Sequence, residues 1–182
     1  VANYLDILHR EIELVASQIG RRQRVKYVHF GGGTPTIMKP AQFIGLVHLL
    51  RDAFDIVDDA ELAIEIDPRT ITREMLAAMR GSGINRASLG VQTFDPKVQQ
   101  SINRIQSVEC TSQTVAALRR VGINRINFDL IYGLPNQTVQ SCIETVKTAL
   151  TMKPDRLAVF GYAHVLDVKK HQRLIDAKTL PD

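Results

Sequence analysis

The sequence predicts an α/β fold, a partial (β/α) barrel with about five parallel strands. Three observations lead there. Amphipathic helices alternate with short apolar strands at intervals of roughly 30 to 40 residues. One helix-to-strand joint occurs twice, as Gly83-Ile84-Asn85-Arg86 and Gly122-Ile123-Asn124-Arg125, which reads as repeated architecture. The strands are also apolar on one face and small or polar on the other. A doubly wound sheet is covered by helices on both faces and is apolar on both, so one-sided polarity favours a barrel wall with a wet lumen.

The first helix is expected from about Asn3 to Ile19, with Leu5, Leu8, Ile12, Val15 and Ile19 on one face. Lys39-Pro40 opens the second, whose stripe is Phe43, Leu46, Val47, Leu50 and Phe54. A third spans Thr72 to Arg80. A short helical piece lies near Pro96, and a further helix runs from Thr111 to Val121. Thr138 is a good N-cap for the last, which carries Val139, Cys142, Ile143, Val146 and Leu150. The strands read Lys26–Phe30, Leu62–Ile66, Arg86–Val91, Asn124–Ile131 and Arg156–Tyr162. Side chains alternate faces along a strand. Leu62, Ile64 and Ile66 therefore oppose Ala63 and Glu65, Leu89 and Val91 oppose Ser88, Gly90 and Gln92, and Ile126, Phe128 and Leu130 oppose Asn127 and Asp129. Residues 1–166 read as this barrel domain, and 167–182 as the loosely attached start of a following connection.

Composition narrows the function. The 182 residues are 45% hydrophobic and 23% charged, which is ordinary for one globular domain. The net charge of +4 is scattered and only 5% of residues are aromatic, so there is no basic stripe with stacking platforms for nucleic acid. No apolar run approaches the ~20 residues of a membrane span. Val1 leads into a charged amphipathic segment instead of a signal peptide, and the missing initiator Met places the expected natural start upstream. Cys110 and Cys142 are too far apart for a CxxC clip. Cys142 lies on an apolar stripe and reads as core, and Cys110 opens a helix and reads as inert. These features point to a cytoplasmic protein, and a monomer is expected.

The strongest local signal is Gly31-Gly32-Gly33-Thr34-Pro35, at the C-terminal end of the first strand. Glycines without a Cβ let the backbone approach a ligand, and α/β proteins place ligands at that end of the sheet. On the same rim the strand pattern sets Glu65, Gln92 and Asp129. An acid within an apolar strand is costly to bury without a partner. No GxSxG elbow, HExxH pair or phosphate-binding GxxxxGK(S/T) loop occurs, and the histidines show no metal spacing. Glycines for close approach and carboxylates for cations and hydroxyls point to a cationic, hydroxyl-rich ligand such as an amino-acid-bearing nucleoside.

Several segments then resemble a known family. Gly31-Gly32-Gly33-Thr34-Pro35-Thr36 and Ile64-Glu65-Ile66-Asp67-Pro68-Arg69 resemble the radical S-adenosylmethionine (SAM) enzymes. Ser88-Leu89-Gly90-Val91-Gln92-Thr93-Phe94, Asn103-Arg104, Asn127-Phe128-Asp129-Leu130-Ile131-Tyr132-Gly133-Leu134-Pro135 and Tyr162-Ala163-His164 narrow this. Together they are similar to the oxygen-independent coproporphyrinogen III oxidase (dehydrogenase) family of haem biosynthesis, from about Tyr4 to the end of the chain. The resemblance implies a TIM-like partial barrel of the radical SAM type. It also implies SAM contacts at Gly32, Gly33, Thr34, Glu65, Gln92, Arg104, Asp129 and Ala163. A carboxylate suits an ammonium or ribose hydroxyls, and Arg104 suits a carboxylate.

The family's CxxxCxxC motif binds a [4Fe-4S] cluster at which SAM is reductively cleaved. The resulting radical abstracts hydrogen from two propionates of coproporphyrinogen III, which lose CO₂ and become vinyl groups, and an electron donor is required. This sequence has no such motif, so no metal ligand or catalytic residue is assigned within it. The expectation is that the cluster belongs to the full-length protein and that this chain alone is inactive. A sister family that shares the Gly-Gly-Gly-Thr-Pro and Gly-Leu-Pro segments acts as a haem-binding chaperone. Asp67-Pro68-Arg69 and Tyr162-Ala163-His164 set this sequence on the oxidase side. The chaperone and a cluster-free SAM-binding module are the alternatives.

Overall fold

A computed structural model describes residues 1–181. The elements in chain order are α1 (Ala2–Ile19), β1 (Arg24–Phe30), α2 (Pro40–Ala53), β2 (Asp55–Ile66), α3 (Arg73–Gly81), β3 (Arg86–Gln92), α4 (Pro96–Ser101), α5 (Val108–Arg120), β4 (Arg125–Tyr132), α6 (Val139–Thr151) and β5 (Arg156–Gly161). The five strands form one sheet in the order β1-β2-β3-β4-β5. The β1–β2 and β4–β5 ladders are parallel. Strand order therefore follows chain order with no reversal, which is the order of a barrel wall and not of a doubly wound sheet.

The chain divides into two compact units. The first holds residues 1–66, 70–87 and 117–124. Its core joins the buried side chains Phe43, Leu46 and Val47 of α2 to Leu62, Ile64 and Ile66 of β2 and to Met75, Leu76 and Met79 of α3. The Phe30 and Phe43 rings meet edge to face with centroids 5.2 Å apart. The second unit holds 67–69, 88–116 and 125 onward. Its core carries Leu89, Val91, Ile126, Phe128 and Leu130, all buried. The alternation read in β2, β3 and β4 thus has its apolar members in the core.

The repeated joint has a physical basis. The Gly83 N–H donates to the Arg80 carbonyl and Ile84 N–H to Met79, at 3.1 and 3.0 Å. Gly122 and Ile123 repeat this on Arg119 and Leu118, both at 2.9 Å. Each pair is a Schellman motif with its glycine in the left-handed region, φ +88° and +86°. The apolar partners Ile84 and Met79, and Ile123 and Leu118, are fully buried. Asn85 then ties the joint to the preceding strand. Its Oδ1 accepts from Leu62 N–H at 3.1 Å, and its Nδ2 donates to the Ala60 carbonyl at 2.8 Å.

Four expectations need correction. β2 begins at Asp55, seven residues before the predicted Leu62. The acidic stretch Asp58-Asp59 hid the strand, and the ladder to β1 shifts register between Val25 and Tyr27. Val15 and Ile19 of α1 are exposed, and only Leu5 and Ile12 of that helix are buried. In α6 the apolar stripe faces outward, with Val139 80% exposed, and the buried face carries Thr145 and Ala149. Cys142 accordingly lines an open cleft of about 560 Å³ with Tyr132, Tyr162 and His164, and is not a core residue. Residues after Leu166 make hydrogen bonds within the second unit. Asn136 N–H donates to the Thr179 carbonyl at 2.6 Å, and the buried Gln172 bridges Val165 and Ala163.

Asn85→Ala removes two backbone-anchoring hydrogen bonds and should lower stability by about 2 kcal/mol. Urea unfolding of the intact protein checks this as a fall in midpoint at unchanged slope.

Candidate functional site

In the first unit, β1 delivers the glycine loop and β2 delivers Glu65. Glu65 projects between the buried Ile64 and Ile66, so the strand's own packing orients its carboxylate toward the polar face. One oxygen, Oε2, accepts the Gly32 N–H at 3.1 Å. The other lies 3.1 Å from His29 Nε2. Gly31 sits so close beneath this pair that an added Cβ would stand 2.6 Å from His29 Nε2 and 2.8 Å from Glu65 Oε1. Gly32 and Gly33 adopt φ +79° and +60°, and an added Cβ at either would meet nothing within 4 Å. The loop is thus anchored on one side and open on the other, where a ligand can lie against bare backbone. Thr34 follows as the residue before the turn at Pro35. Beside the loop, a cleft of about 510 Å³ is lined by His29, Phe30, Thr34 and Met38 among others.

In the second unit, Gln92 ends β3 in the left-handed region at φ +66°, an uncommon conformation for a residue with a side chain. Arg104 is placed by the end of α4. Asn103 takes φ +51°, its N–H donates to Gln100, and Arg104 N–H donates to the Gln99 carbonyl at 2.8 Å. This is the helix-ending geometry of the glycine joints, built here on asparagine. The buried Gln99 amide braces the loop by donating to the carbonyls of Thr93 and Gln106, at 2.8 and 2.7 Å. The Arg104 guanidinium donates to the Gly90 carbonyl through Nη2 at 2.8 Å and meets Asp67 Oδ2 through Nη1 at 3.5 Å. Its Nε is buried with no protein partner. Burial works against the charge of Arg104 and lowers its pKa from the usual arginine range. Asp67, hydrogen-bonded by Arg69, is held below the ordinary carboxylate range.

Asp129 of β4 accepts from the Asn127 amide at 3.0 Å. The Asn127 Oδ1 is buried without a partner and calls for a donor such as a hydroxyl. Ala163 is exposed after β5, with its carbonyl accepting from Gln172 Nε2 at 3.0 Å. Within the first unit, then, the structure brings together Gly32 and Glu65 at hydrogen-bond distance, with Gly33 and Thr34 in the same loop. Within the second, Arg104 stands with Asp67 and Asp129 with Asn127. Sequence reasoning missed His29 as the partner of Glu65, the Gln99–Gln106 brace, and the charge partnership of Asp67. The Asp67-Pro68-Arg69 segment was visible as a motif, but two residues in a loop carry no periodicity to announce an ion pair.

Each unit taken by itself carries groups that fit parts of SAM in kind: the first an open glycine backbone and an anchored carboxylate, the second a guanidinium with an orphaned N–H and an amide oxygen awaiting a donor. They do not fit a cluster. Among the described residues no three His, Cys, Asp or Glu side chains converge as a metal site, and both cysteines are free thiols.

Asp67 carries a pH signature. Its folded pKa lies below the unfolded value, so its ion pair contributes stability above the unfolded carboxylate range, about pH 4. That contribution is lost as pH falls through the folded value. Asp67→Asn should flatten this acid limb of the stability profile, read by urea unfolding between pH 3 and 7.

The chain has extensive matches among known proteins. The chain is 60% identical over 182 residues to an oxygen-independent coproporphyrinogen III oxidase of Bradyrhizobium diazoefficiens, covering all of this chain and 40% of that protein. It is 55% identical over 172 residues to the uncharacterized protein y4hJ of Sinorhizobium fredii, covering 94% of this chain and 66% of the relative. Among solved structures it matches the coproporphyrinogen III oxidase HemN of Escherichia coli, described as a radical SAM enzyme, with a TM-score of 0.92 and 43% identity. That match covers 100% of this chain and 42% of HemN. The chain therefore spans about two fifths of the length of the oxidases it matches. The radical SAM superfamily profile matches residues 4–149, and the chain belongs to the radical SAM superfamily.

Proposed function

We propose that this chain is the SAM-binding core of an oxygen-independent coproporphyrinogen III oxidase, which converts coproporphyrinogen III to protoporphyrinogen IX in haem biosynthesis. The observation that carries it is the likeness over every residue of the chain to a protein named for that reaction. The SAM and [4Fe-4S] pair would supply one-electron hydrogen abstraction, with the cluster ligands in a part of the protein outside this chain. The protein is a cytoplasmic monomer served by a separate electron donor.

The chain's own residues bind and orient. Glu65 holds the Gly32 amide, and its remaining lone pairs accept from an ammonium group. Gly33 leaves backbone open to the methionyl moiety, and Thr34 follows it in the same loop. Arg104 offers its guanidinium to the ligand carboxylate, and charge-assisted bonds of this kind are the strong ones. Asp129, with Asn127 beside it, suits ribose hydroxyls. Gln92 and the Ala163 backbone complete the polar contacts.

The test is anaerobic turnover by the intact protein. The expected result is SAM-dependent loss of two CO₂ per coproporphyrinogen III, with Arg104→Ala raising the Kd for SAM by about 10- to 100-fold, the loss of one or two charge-assisted hydrogen bonds. Stable haem binding with no loss of CO₂ would overturn the oxidase reading in favour of the chaperone. SAM binding in a protein that assembles no cluster would leave the cluster-free module.

A further inference from the structure

Two guanidiniums of the second unit meet at one carboxylate. Arg69 grips Asp67 from two residues away. Its Nε donates to both oxygens at 2.9 and 3.2 Å, its Nη2 to Oδ2 at 2.6 Å, and its backbone N–H to Oδ1 at 3.0 Å. Arg104 reaches the same Oδ2 at only 3.5 Å, and its Nε has no protein partner. Among these three residues two guanidiniums share one carboxylate, so one positive charge is left without its counter-charge. The side chains are 34% exposed for Arg69, 22% for Arg104 and 13% for Asp67.

The short segment that presents Asp67 and Arg69 is itself held. The Pro68 carbonyl accepts from Cys110 Sγ and from Thr114 Oγ1 of α5, both at 3.4 Å. Pro68 also restricts the backbone at the centre of the segment. Arg69 is thus kept over Asp67 rather than left to wander in solvent. The lowered pKa of Asp67 owes most to the Arg69 hydrogen bond and less to the charge of Arg104. A forked guanidinium on a carboxylate outcompetes a single long contact. Without Arg69, the nearest cation to Asp67 is Arg104, in a part-buried setting where opposite charges attract more strongly than in water.

We infer that Arg69 is a positioning residue: by occupying Asp67 it keeps the Arg104 guanidinium available to the carboxylate of an aminoacyl ligand. This rests on Arg104 being the anion contact proposed above. Asp67 on this account is a competitor held in check, not a ligand contact, and its removal should compensate for the loss of Arg69.

The test is calorimetric binding to the intact protein of two probes, SAM and decarboxylated SAM, which differ only in the carboxylate. Arg69→Ala should raise the Kd for SAM about tenfold, the value of one charge-assisted contact. The double variant Asp67→Asn/Arg69→Ala should return it to within about threefold of the parent. Decarboxylated SAM should bind parent and Arg69→Ala alike, a distinction that a general structural role for Arg69 would not produce. Arg69→Met, which keeps the aliphatic stem, replaces Arg69→Ala should the latter unfold. If Arg104→Ala weakens SAM binding while Arg69→Ala does not, or if the double variant fails to recover, the inference is wrong and the SAM site stands. If Arg104→Ala leaves SAM binding unchanged, the underlying reading fails and the inference falls with it.

Discussion

The Glu65 carboxylate, held at 3.1 Å by the Gly32 amide and at 3.1 Å from His29, is the contact on which the glycine loop depends. Three glycines in a row cost conformational entropy when they order, and they need an external partner to settle on one conformation. Glu65 is that partner because its strand gives it no choice. Ile64 and Ile66 are buried on either side, so the carboxylate must leave on the opposite face, where the loop passes. Gly31 is required at the closest point, since any Cβ there would enter the space of His29 and Glu65. Gly32 and Gly33 are required for another reason, their positive φ.

Elsewhere a related arrangement recurs in other chemistry at Asn127 and Arg104, each held by a local partner while one of its atoms is left unmatched. Asp129 takes one amide hydrogen from Asn127, whose own oxygen is left unmatched. Arg104 is pinned through Gly90 and Asp67, yet its Nε is unmatched. Buried polar atoms without partners are uncommon in folded proteins, and at Asn127 and Arg104 they remain open to a ligand's own donors and acceptors. Partial satisfaction combines order in the empty protein with affinity for what arrives.

Much of this was legible in the sequence, for reasons that differ by element. β3 and β4 could be read because strict alternation survives in residues whose two faces meet different surroundings. The glycine joints could be read because a left-handed residue after a helix has few occupants, and Asn103 shows the limit of that cue, since asparagine performs the same turn without advertising it. The first half of β2 was hidden because its acidic residues mimic a loop. α6 misled because an apolar stripe declares amphipathicity but not which side is covered, and here Thr145 and Ala149 face inward. At the site, Glu65 and Asp129 stood out as acids within apolar strands, and Arg104 was reached only through the family resemblance. The partners that orient them did not, because His29, Asp67, Arg69 and Gln99 act through three-dimensional proximity that has no sequence period.

The central claim is that this chain grips the aminoacyl and ribose groups of SAM, and backbone hydrogen exchange of the intact protein tests it most directly. On saturation with SAM, the account predicts slower exchange at the amides of residues 32–34, where Glu65 holds the Gly32 N–H, and across the Asn103–Gln106 loop that carries Arg104. Unchanged exchange in both segments at a saturating ligand concentration would contradict it.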